Sequence, residues 1–195
     1  MSLIPRSFLL LTCIFPLFLY AQRIEFISED LVFTIEPVFF TVNGDYCFRN
    51  PSNSLLTNRI YYPVAGNTGF NPFDSIMVFD ISSPSVPLIV EIKDSIANFA
   101  MTIPPFSEKC VRVFYRQRHN GIVARYILTT TKNWGKSLES AKYTLTSGKN
   151  MKLTWVSIPP DNESEFDDMR LYTWKRAQFM PEADFVFTFR PAGGK

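Results

Sequence analysis

Four arginines in the middle of the sequence are the side chains best suited to hold a charged ligand. They are Arg112, Arg116, Arg118 and Arg125. A β-hairpin that joins residues 109–118 to 122–131 through Asn120-Gly121 would place all four on one face. Guanidinium groups bind carboxylates and phosphates through paired hydrogen bonds, so this face is a candidate anion-binding or partner-binding site. The alternative is that the arginines pair with acids of the same chain, such as those at 161–168.

Three tryptophans are the candidates for stacking on a sugar ring: Trp134, Trp155 and Trp174. Carbohydrate binding would require at least one of them to be exposed and coplanar with another aromatic ring. Aromatic residues on strands more often belong to the hydrophobic core. The sequence therefore offers a glycan as an alternative to a protein partner.

Catalytic chemistry has little support in the sequence. His119 is the single histidine of the chain, and the predicted hairpin places it at the tip, as a solvated turn residue rather than a sheltered base. Dispersed carboxylates such as Glu36, Asp80, Glu91 and Glu139 could form a hydrolytic pair only by meeting in space. The acidic run 161–168 departs from the spacing of a calcium loop and is predicted to be a solvated loop. We assign no catalytic residue, no metal and no cofactor.

The first 21 residues have the organisation of a signal peptide. Arg6 precedes the apolar run from Phe8 to Tyr20, which is shorter than the roughly 20 residues that span a bilayer, and Ala21 is a suitable residue before a cleavage site. The ending Tyr-Ala-Gln resembles leaders of Bacteroidota-type bacteria. We therefore predict a signal peptide over 1–21 and one exported domain over 22–195, periplasmic, cell-surface or extracellular, without membrane insertion after cleavage.

Two cysteines remain after removal of the leader, Cys47 and Cys110. An even number of cysteines in an oxidising compartment predicts a disulfide, and two separate buried thiols are the alternative. The formal net charge of the whole chain is +2, which gives no electrostatic footprint for nucleic acid. A partner is therefore expected to be a protein or a glycan.

Short apolar segments separated by turn residues must position these groups. Aromatic residues make up 15% of the chain, and no segment has the period of an amphipathic helix. Asn43-Gly44 predicts a hairpin between residues 38–42 and 45–49, and in the hairpin centred on Asn120-Gly121 Arg116 would face Arg125. Further strands are predicted at 58–64, 75–81, 86–93, 97–103, 139–146, 151–157, 169–176 and 185–189. About ten strands indicate an all-β Greek-key, immunoglobulin-like antiparallel sandwich of about 8–11 strands.

Three stretches carry a resemblance to other proteins. They are residues 125–135 (RYILTTTKNWG), Tyr61-Tyr62-Pro63, and Trp174 followed by residues 178–189 (QFMPEADFVFTF). In these stretches the chain resembles exported bacterial β-sandwich proteins of the kind grouped as domains of unknown function. The resemblance implies the fold and export, and it transfers no active site. The sequence therefore favours a non-enzymatic interaction or structural module, with a carbohydrate-binding module and a hydrolase as the alternatives.

Overall fold

The computed structural model describes residues 23–65, 73–119, 122–148, 150–167 and 169–191, so the predicted leader lies outside it. Within these ranges the chain forms thirteen strands and one 3-10 helix, Thr129–Trp134, and the all-β prediction is confirmed. The strands are β1 (Glu25–Ile35), β2 (Phe39–Asn50), β3 (Leu56–Pro63), β4 (Ser75–Asp80), β5 (Glu91–Lys93), β6 (Ile96–Ile103), β7 (Ser107–Arg118), β8 (Val123–Tyr126), β9 (Leu138–Gly148), β10 (Met151–Val156), β11 (Asn162–Phe166), β12 (Met169–Phe179) and β13 (Phe185–Pro191). No helix in the described ranges is both long and apolar enough to cross a membrane.

The strands form one large sheet and two small ones. The large sheet has the order β11-β12-β9-β1-β2-β7-β4, and the small sheets have the orders β10-β13-β8 and β3-β6-β5. Neighbouring strands are antiparallel except for β1 and β9, which are parallel. The large sheet therefore has β1, the first described strand, near its centre.

The core lies between the large sheet and the two small sheets. Phe33 of the large sheet contacts Tyr126 and Phe187 of the sheet β10-β13-β8, with ring centroids 5.2 and 5.4 Å apart. Tyr46 and Tyr115 of the large sheet contact Tyr62 of the sheet β3-β6-β5. Each small sheet thus covers its own part of one face of the large sheet, and the other face carries mainly polar and charged side chains.

Alternation of apolar and polar residues explains several strands directly. Phe185, Phe187 and Phe189 are buried on β13, and Tyr172 and Trp174 are buried on β12, because side chains two positions apart share one face of a strand. In the segments 109–118 and 122–131, the apolar side chains that alternate with the arginines are also buried: Val111, Val113, Tyr115, Ala124, Tyr126 and Leu128. Side-chain periodicity therefore accounts for these inward faces.

The first predicted hairpin is wrong. Asn43 and Gly44 lie inside the continuous strand β2, opposite Val32 and Leu31 of β1. A methyl group on Gly44 would come within 2.4 Å of Leu31 Cδ2 and within 2.9 Å of the Tyr46 ring and hydroxyl. The glycine is required for close packing beneath the sheet rather than for a turn.

The pairing predicted for the second hairpin is also wrong. β7 pairs with β2 and β4, whereas β8 pairs with β13 in a different sheet. Arg116 consequently faces Thr41 and Ser75 rather than Arg125. The Asn120-Gly121 turn itself lies outside the described residues.

Two further segments differ from the sequence prediction. The strand expected at 86–93 is limited to Glu91–Lys93. The acidic run expected to be a loop contains β11, which pairs with β12 at the edge of the large sheet. Pairing with an aromatic-rich neighbour overrides the weak strand propensity of acidic residues there.

Candidate functional site

The four predicted anion-binding arginines do not share a face, because Arg125 lies on β8 and the other three on β7. Arg112 donates from Nε and Nη2 to the two carboxylate oxygens of Asp45, at 2.6 and 2.7 Å. Arg116 donates to Asp74 Oδ2, and Arg118 lies 3.9 Å from Asp74 Oδ1. Arg125 is ion-paired with Asp184. The arginines are therefore engaged by acids of the same chain, although not by the acidic run named from the sequence.

The three tryptophans lie in three different environments. Trp174 is fully buried, and its Nε1 donates a hydrogen bond to the carbonyl of Ile158 at 2.9 Å. Trp134 is partly buried against Phe26 and Phe48. Trp155, on β10, is 55% exposed. They therefore do not form one sugar-stacking surface.

The two cysteines of the predicted domain are joined. Cys47 on β2 and Cys110 on β7 face each other directly in the register, with Cα atoms 4.1 Å apart, and form a disulfide. Both residues are half-buried. The disulfide links two adjacent strands near the middle of the large sheet, and its prediction from the sequence is confirmed.

His119 is not the solvated turn residue that the sequence predicted. It is 5% exposed, and its Nε2 lies 2.8 Å from the carbonyl oxygen of Glu36. Its ring packs edge-on against Phe189 with centroids 4.7 Å apart. The imidazole, just after the end of β7, is therefore packed inside the protein rather than exposed to solvent.

Three of the four carboxylates considered for a hydrolytic pair are held by different cations. Glu91 is paired with Arg59, Glu139 with Arg49, and Asp80 with Lys109. Across the described ranges, no group of three or more His, Cys, Asp or Glu side chains is arranged to hold a metal.

Glu29 is a buried acid that sequence reasoning did not select. It is 4% exposed and projects from β1 into the core. A bulge between Phe26 and Ser28 leaves both Phe26 and Glu29 buried, although strict alternation would separate them. The alternation through Ile35, Phe33 and Leu31 extends back to Glu29, and this was the available sequence signal.

Tyrosines surround the Glu29 carboxyl group. Tyr143 donates a hydrogen bond to Glu29 Oε1 at 2.5 Å, and the Tyr46 hydroxyl lies 2.6 Å from that of Tyr62 and 2.9 Å from that of Tyr126. Burial raises the pKa of Glu29 to about 7, and the hydrogen bond from Tyr143 opposes this only in part. Burial also raises the pKa of Tyr46, Tyr62 and Tyr126 well above the usual value, so these hydroxyls stay protonated.

This cluster lines a cavity of about 50 Å³. Its lining includes Phe26, Phe48 and Trp134 in addition to Glu29 and the three tyrosines Tyr46, Tyr62 and Tyr126. A larger groove of about 690 Å³ lies outside it, lined by groups that include Arg23, Arg59 and Asn133. Tyr61, Pro63, Thr130 and Trp134 line both spaces. The groove and the cavity are therefore neighbours that share part of their walls.

A second candidate surface lies along residues 81–96, which we call the apolar edge. This segment follows β4, an edge strand of the large sheet, and includes β5, an edge strand of a small sheet, and the first residue of β6. Its exposed apolar residues are Ile81 (36%), Val86 (70%), Ile89 (87%), Ile92 (53%) and Ile96 (40%). A shallow pocket of about 290 Å³ between Phe79, Ile81, Pro84 and Arg112 adjoins it. Five exposed large apolar side chains in one short segment are typical of a protein-interaction surface.

No protein-family model and no curated protein matches this chain. Solved structures share its fold. A proposed nutrient-binding protein from Legionella pneumophila superposes with a TM-score of 0.67 at 15% identity, covering 86% of this chain and 67% of that one. An M1 zinc metallopeptidase from Deinococcus radiodurans superposes with a TM-score of 0.52 at 11% identity, covering 85% of this chain. This chain spans 42% of the peptidase chain, and at these identities the similarity establishes the fold alone.

Proposed function

We propose that this chain is an exported, non-enzymatic interaction module of the periplasm or cell surface, which binds a partner protein through the apolar edge. The observation that carries the proposal is the exposure of five large apolar side chains between Ile81 and Ile96. Burying such side chains against a partner removes apolar surface from water, which is the main favourable contribution to protein association. The finer description of the fold, a Greek-key immunoglobulin-like sandwich, stays a prediction alongside it.

The geometry of the edge supports a protein as the occupant. β5 has only three residues and pairs on one side with β6, so its other side has backbone groups available for pairing. Leu88 N donates to the Val78 carbonyl at 2.7 Å, which ties the apolar edge to β4. An extended segment of another protein can add to such an edge while apolar side chains pack beside it.

The solved structures are consistent with a module that works together with other parts. The peptidase that shares the fold is more than twice as long as the region matched here. The Legionella protein is described by a binding role rather than a catalytic one. Neither similarity transfers a ligand or a role to this chain.

Export is supported by two independent features. The first is the leader pattern over 1–21, with its apolar segment and Ala21 before the proposed cleavage point. The second is the disulfide between Cys47 and Cys110, a bond that persists in oxidising compartments.

The two alternative functions are less well supported. A carbohydrate-binding module would use aligned exposed aromatics, but Trp174 is buried and Trp134 is packed against Phe26 and Phe48. A hydrolase would use two neighbouring carboxylates, but Glu91, Glu139 and Asp80 are each held by a different basic residue.

Site-specific photo-cross-linking in the native host tests the partner surface. A benzophenone amino acid at position 89 is expected to give one adduct of discrete mass with another protein. The same group at Val32, an exposed position on β1, is the matched control and should give none. Ile92→Asp should abolish the adduct at position 89. Absence of an adduct at positions 86, 89 and 92, or an adduct only with a second copy of this chain, would contradict the proposal.

Mass spectrometry of the protein from the native host tests export. A mature chain that begins at Gln22, and that gains free thiols only after reduction, is the expected result. An unprocessed chain with free Cys47 and Cys110 would contradict export.

A further inference from the structure

We propose that the cavity around Glu29 is a binding site for the ammonium group of a small organic amine, whose remaining part lies in the outer groove. This site is separate from the apolar edge, and the proposal does not depend on the proposed partner protein. It rests on the contacts of one buried carboxyl group, on the character of the cavity walls and on the position of the groove.

The carboxyl group of Glu29 has acceptor capacity that the described residues do not use. Oε1 accepts the hydrogen bond from Tyr143, and Oε2 has no hydrogen-bond partner among the described residues. Oε2 is also not one of the fully enclosed atoms without a partner, and Glu29 is one of the residues that line the cavity. An ammonium group carries three donors and no acceptor, which suits such an oxygen.

The walls of the cavity are suited to a cation. Phe26, Phe48, Tyr46 and Trp134 contribute aromatic rings, and the electron-rich faces of such rings attract organic ammonium groups. The Tyr62 and Tyr126 hydroxyls are hydrogen-bonded to Tyr46 and keep their orientation. A carboxylate beside several aromatic rings therefore provides the acceptor and the cation–π contacts together.

The charges around the cavity favour one orientation of the ligand. Glu29 is the one charged side chain among the described residues that line the cavity. The titratable groups that face it are the hydroxyls of Tyr46 on β2, Tyr62 on β3, Tyr126 on β8 and Tyr143 on β9, all with raised pKa. The groove carries Arg23 and Arg59, the latter paired with Glu91. The cation therefore belongs at Glu29, and an uncharged or anionic body belongs in the groove.

The volumes of the cavity and the groove fit the two parts of such an amine. A cavity of about 50 Å³ exceeds the roughly 10–15 Å³ that one water molecule needs, and it accommodates an ammonium group with its attached carbon. The groove of about 690 Å³ accommodates the body of a small amine, with Tyr61 and Trp134 as its aromatic wall.

Calorimetric titration of the folded, disulfide-intact protein tests this site with a matched pair of probes. 2-Phenylethylammonium is expected to bind at least about tenfold more tightly than 2-phenylethanol, which has the same ring and no charge. Because binding requires ionised Glu29, affinity for the amine should rise by about tenfold between pH 6 and pH 8. The fluorescence of Trp134, which lines both spaces, should change on binding.

Two variants complete the experiment. Glu29→Gln retains the shape of the side chain and removes its charge, and it should abolish amine binding. Asp30→Asn changes the exposed neighbouring acid on β1 and should leave binding unchanged. Equal affinity for the amine and the alcohol, binding that survives Glu29→Gln, or no binding of the amine at about 10 mM would overturn the proposal. Glu29-dependent binding of potassium chloride with no binding of the amine would also overturn it.

Discussion

Glu29 and Asp184 are two acids with sheltered side chains, and their pKa values shift in opposite directions. The Asp184 side chain is 8% exposed and accepts hydrogen bonds from Leu128 N, Thr129 N and Thr129 Oγ1 in addition to its pair with Arg125. Burial raises its pKa, but the two hydrogen bonds from Thr129 and the hydrogen bond and charge of Arg125 together lower it by more. Glu29 receives one hydroxyl donor, and burial raises its pKa to about 7.

The comparison shows what several donors add: Asp184 has three hydrogen bonds and an arginine and acts as a structural anion, whereas Glu29 is more deeply buried and has one donor. Asp184 satisfies backbone groups at the start of the 3-10 helix and thereby holds the segment that ends at Trp134. Glu29, which has few donors, can gain or lose a proton near neutral pH. Asp184 therefore holds one wall of the cavity in place, and Glu29 is available to ionise when a cation binds in the cavity.

The largest expected effect comes from removing the well-satisfied acid. Asp184→Ala should lower the free energy of unfolding by about 4 kcal/mol at pH 7, because Arg125 and two backbone N–H groups lose their acceptor. Urea unfolding followed by circular dichroism measures this. Asp30→Ala, which removes one exposed pair with Lys142, is the control and should cost less than about 1 kcal/mol.

Glu29, the acid with one donor, should make the free energy of unfolding depend on pH. A folded-state pKa of about 7 against 4.5 for an exposed carboxyl means that the stabilising contribution is present below pH 4.5 and is lost as pH rises through 7. Relative to Glu29→Gln, the wild-type free energy of unfolding should therefore fall by about 3 kcal/mol between pH 4.5 and pH 8. Urea unfolding at pH 4.5, 6, 7 and 8 checks it. A constant difference between the two proteins would show that folding leaves the pKa of Glu29 unchanged, which would contradict the prediction.

The third-largest effect on stability should come from filling the space that Gly44 leaves beside Tyr46. Gly44→Ala should cost about 2 kcal/mol, because the added methyl group overlaps Leu31 and the Tyr46 ring in a packed core. Gly148→Ala is the matched control, since a methyl group there meets no atom within 4 Å. If the two variants unfold at the same urea concentration, Leu31 and Tyr46 move aside for the added methyl group without cost, which would contradict the prediction.

The smallest expected effect concerns the single donor to Glu29. Tyr143→Phe removes the hydrogen bond that lowers the pKa of this carboxyl, so the pKa should rise above 7 and stability at pH 8 should fall by about 1 kcal/mol. A carbon-13 NMR titration of the glutamate carboxyl group measures the change. Tyr172→Phe, on β12, should leave the titration of Glu29 unchanged.

Side-chain periodicity predicted much of the fold and little of the strand pairing. The inward faces of β7, β12 and β13 follow from alternation, and Cys47 and Cys110 follow from cysteine count and compartment. Partners such as β8 and β13 are separated by about sixty residues, and no local signal specifies them.

The candidate sites were less predictable for a related reason. Asn43-Gly44 has the composition of a tight turn, but the space required by Tyr46 places Gly44 within a strand. Glu29 lies two residues before Leu31 on the inward face, so its burial was open to prediction from alternation. Its tyrosine neighbours come from β2, β3, β8 and β9, and only the folded chain brings them together.

The parallel pairing of β1 with β9 has a consequence for how the chain folds. Thr34 on β1 and Thr146 on β9 share a hydrogen bond of 3.0 Å across 112 residues of sequence. Pairings of such high contact order are slow to form, because a long loop must close before they contribute stability. A growing chain that has not yet reached residue 138 leaves one side of β1 without its neighbour. β1 can therefore acquire both of its neighbours only when most of the sequence is available to fold.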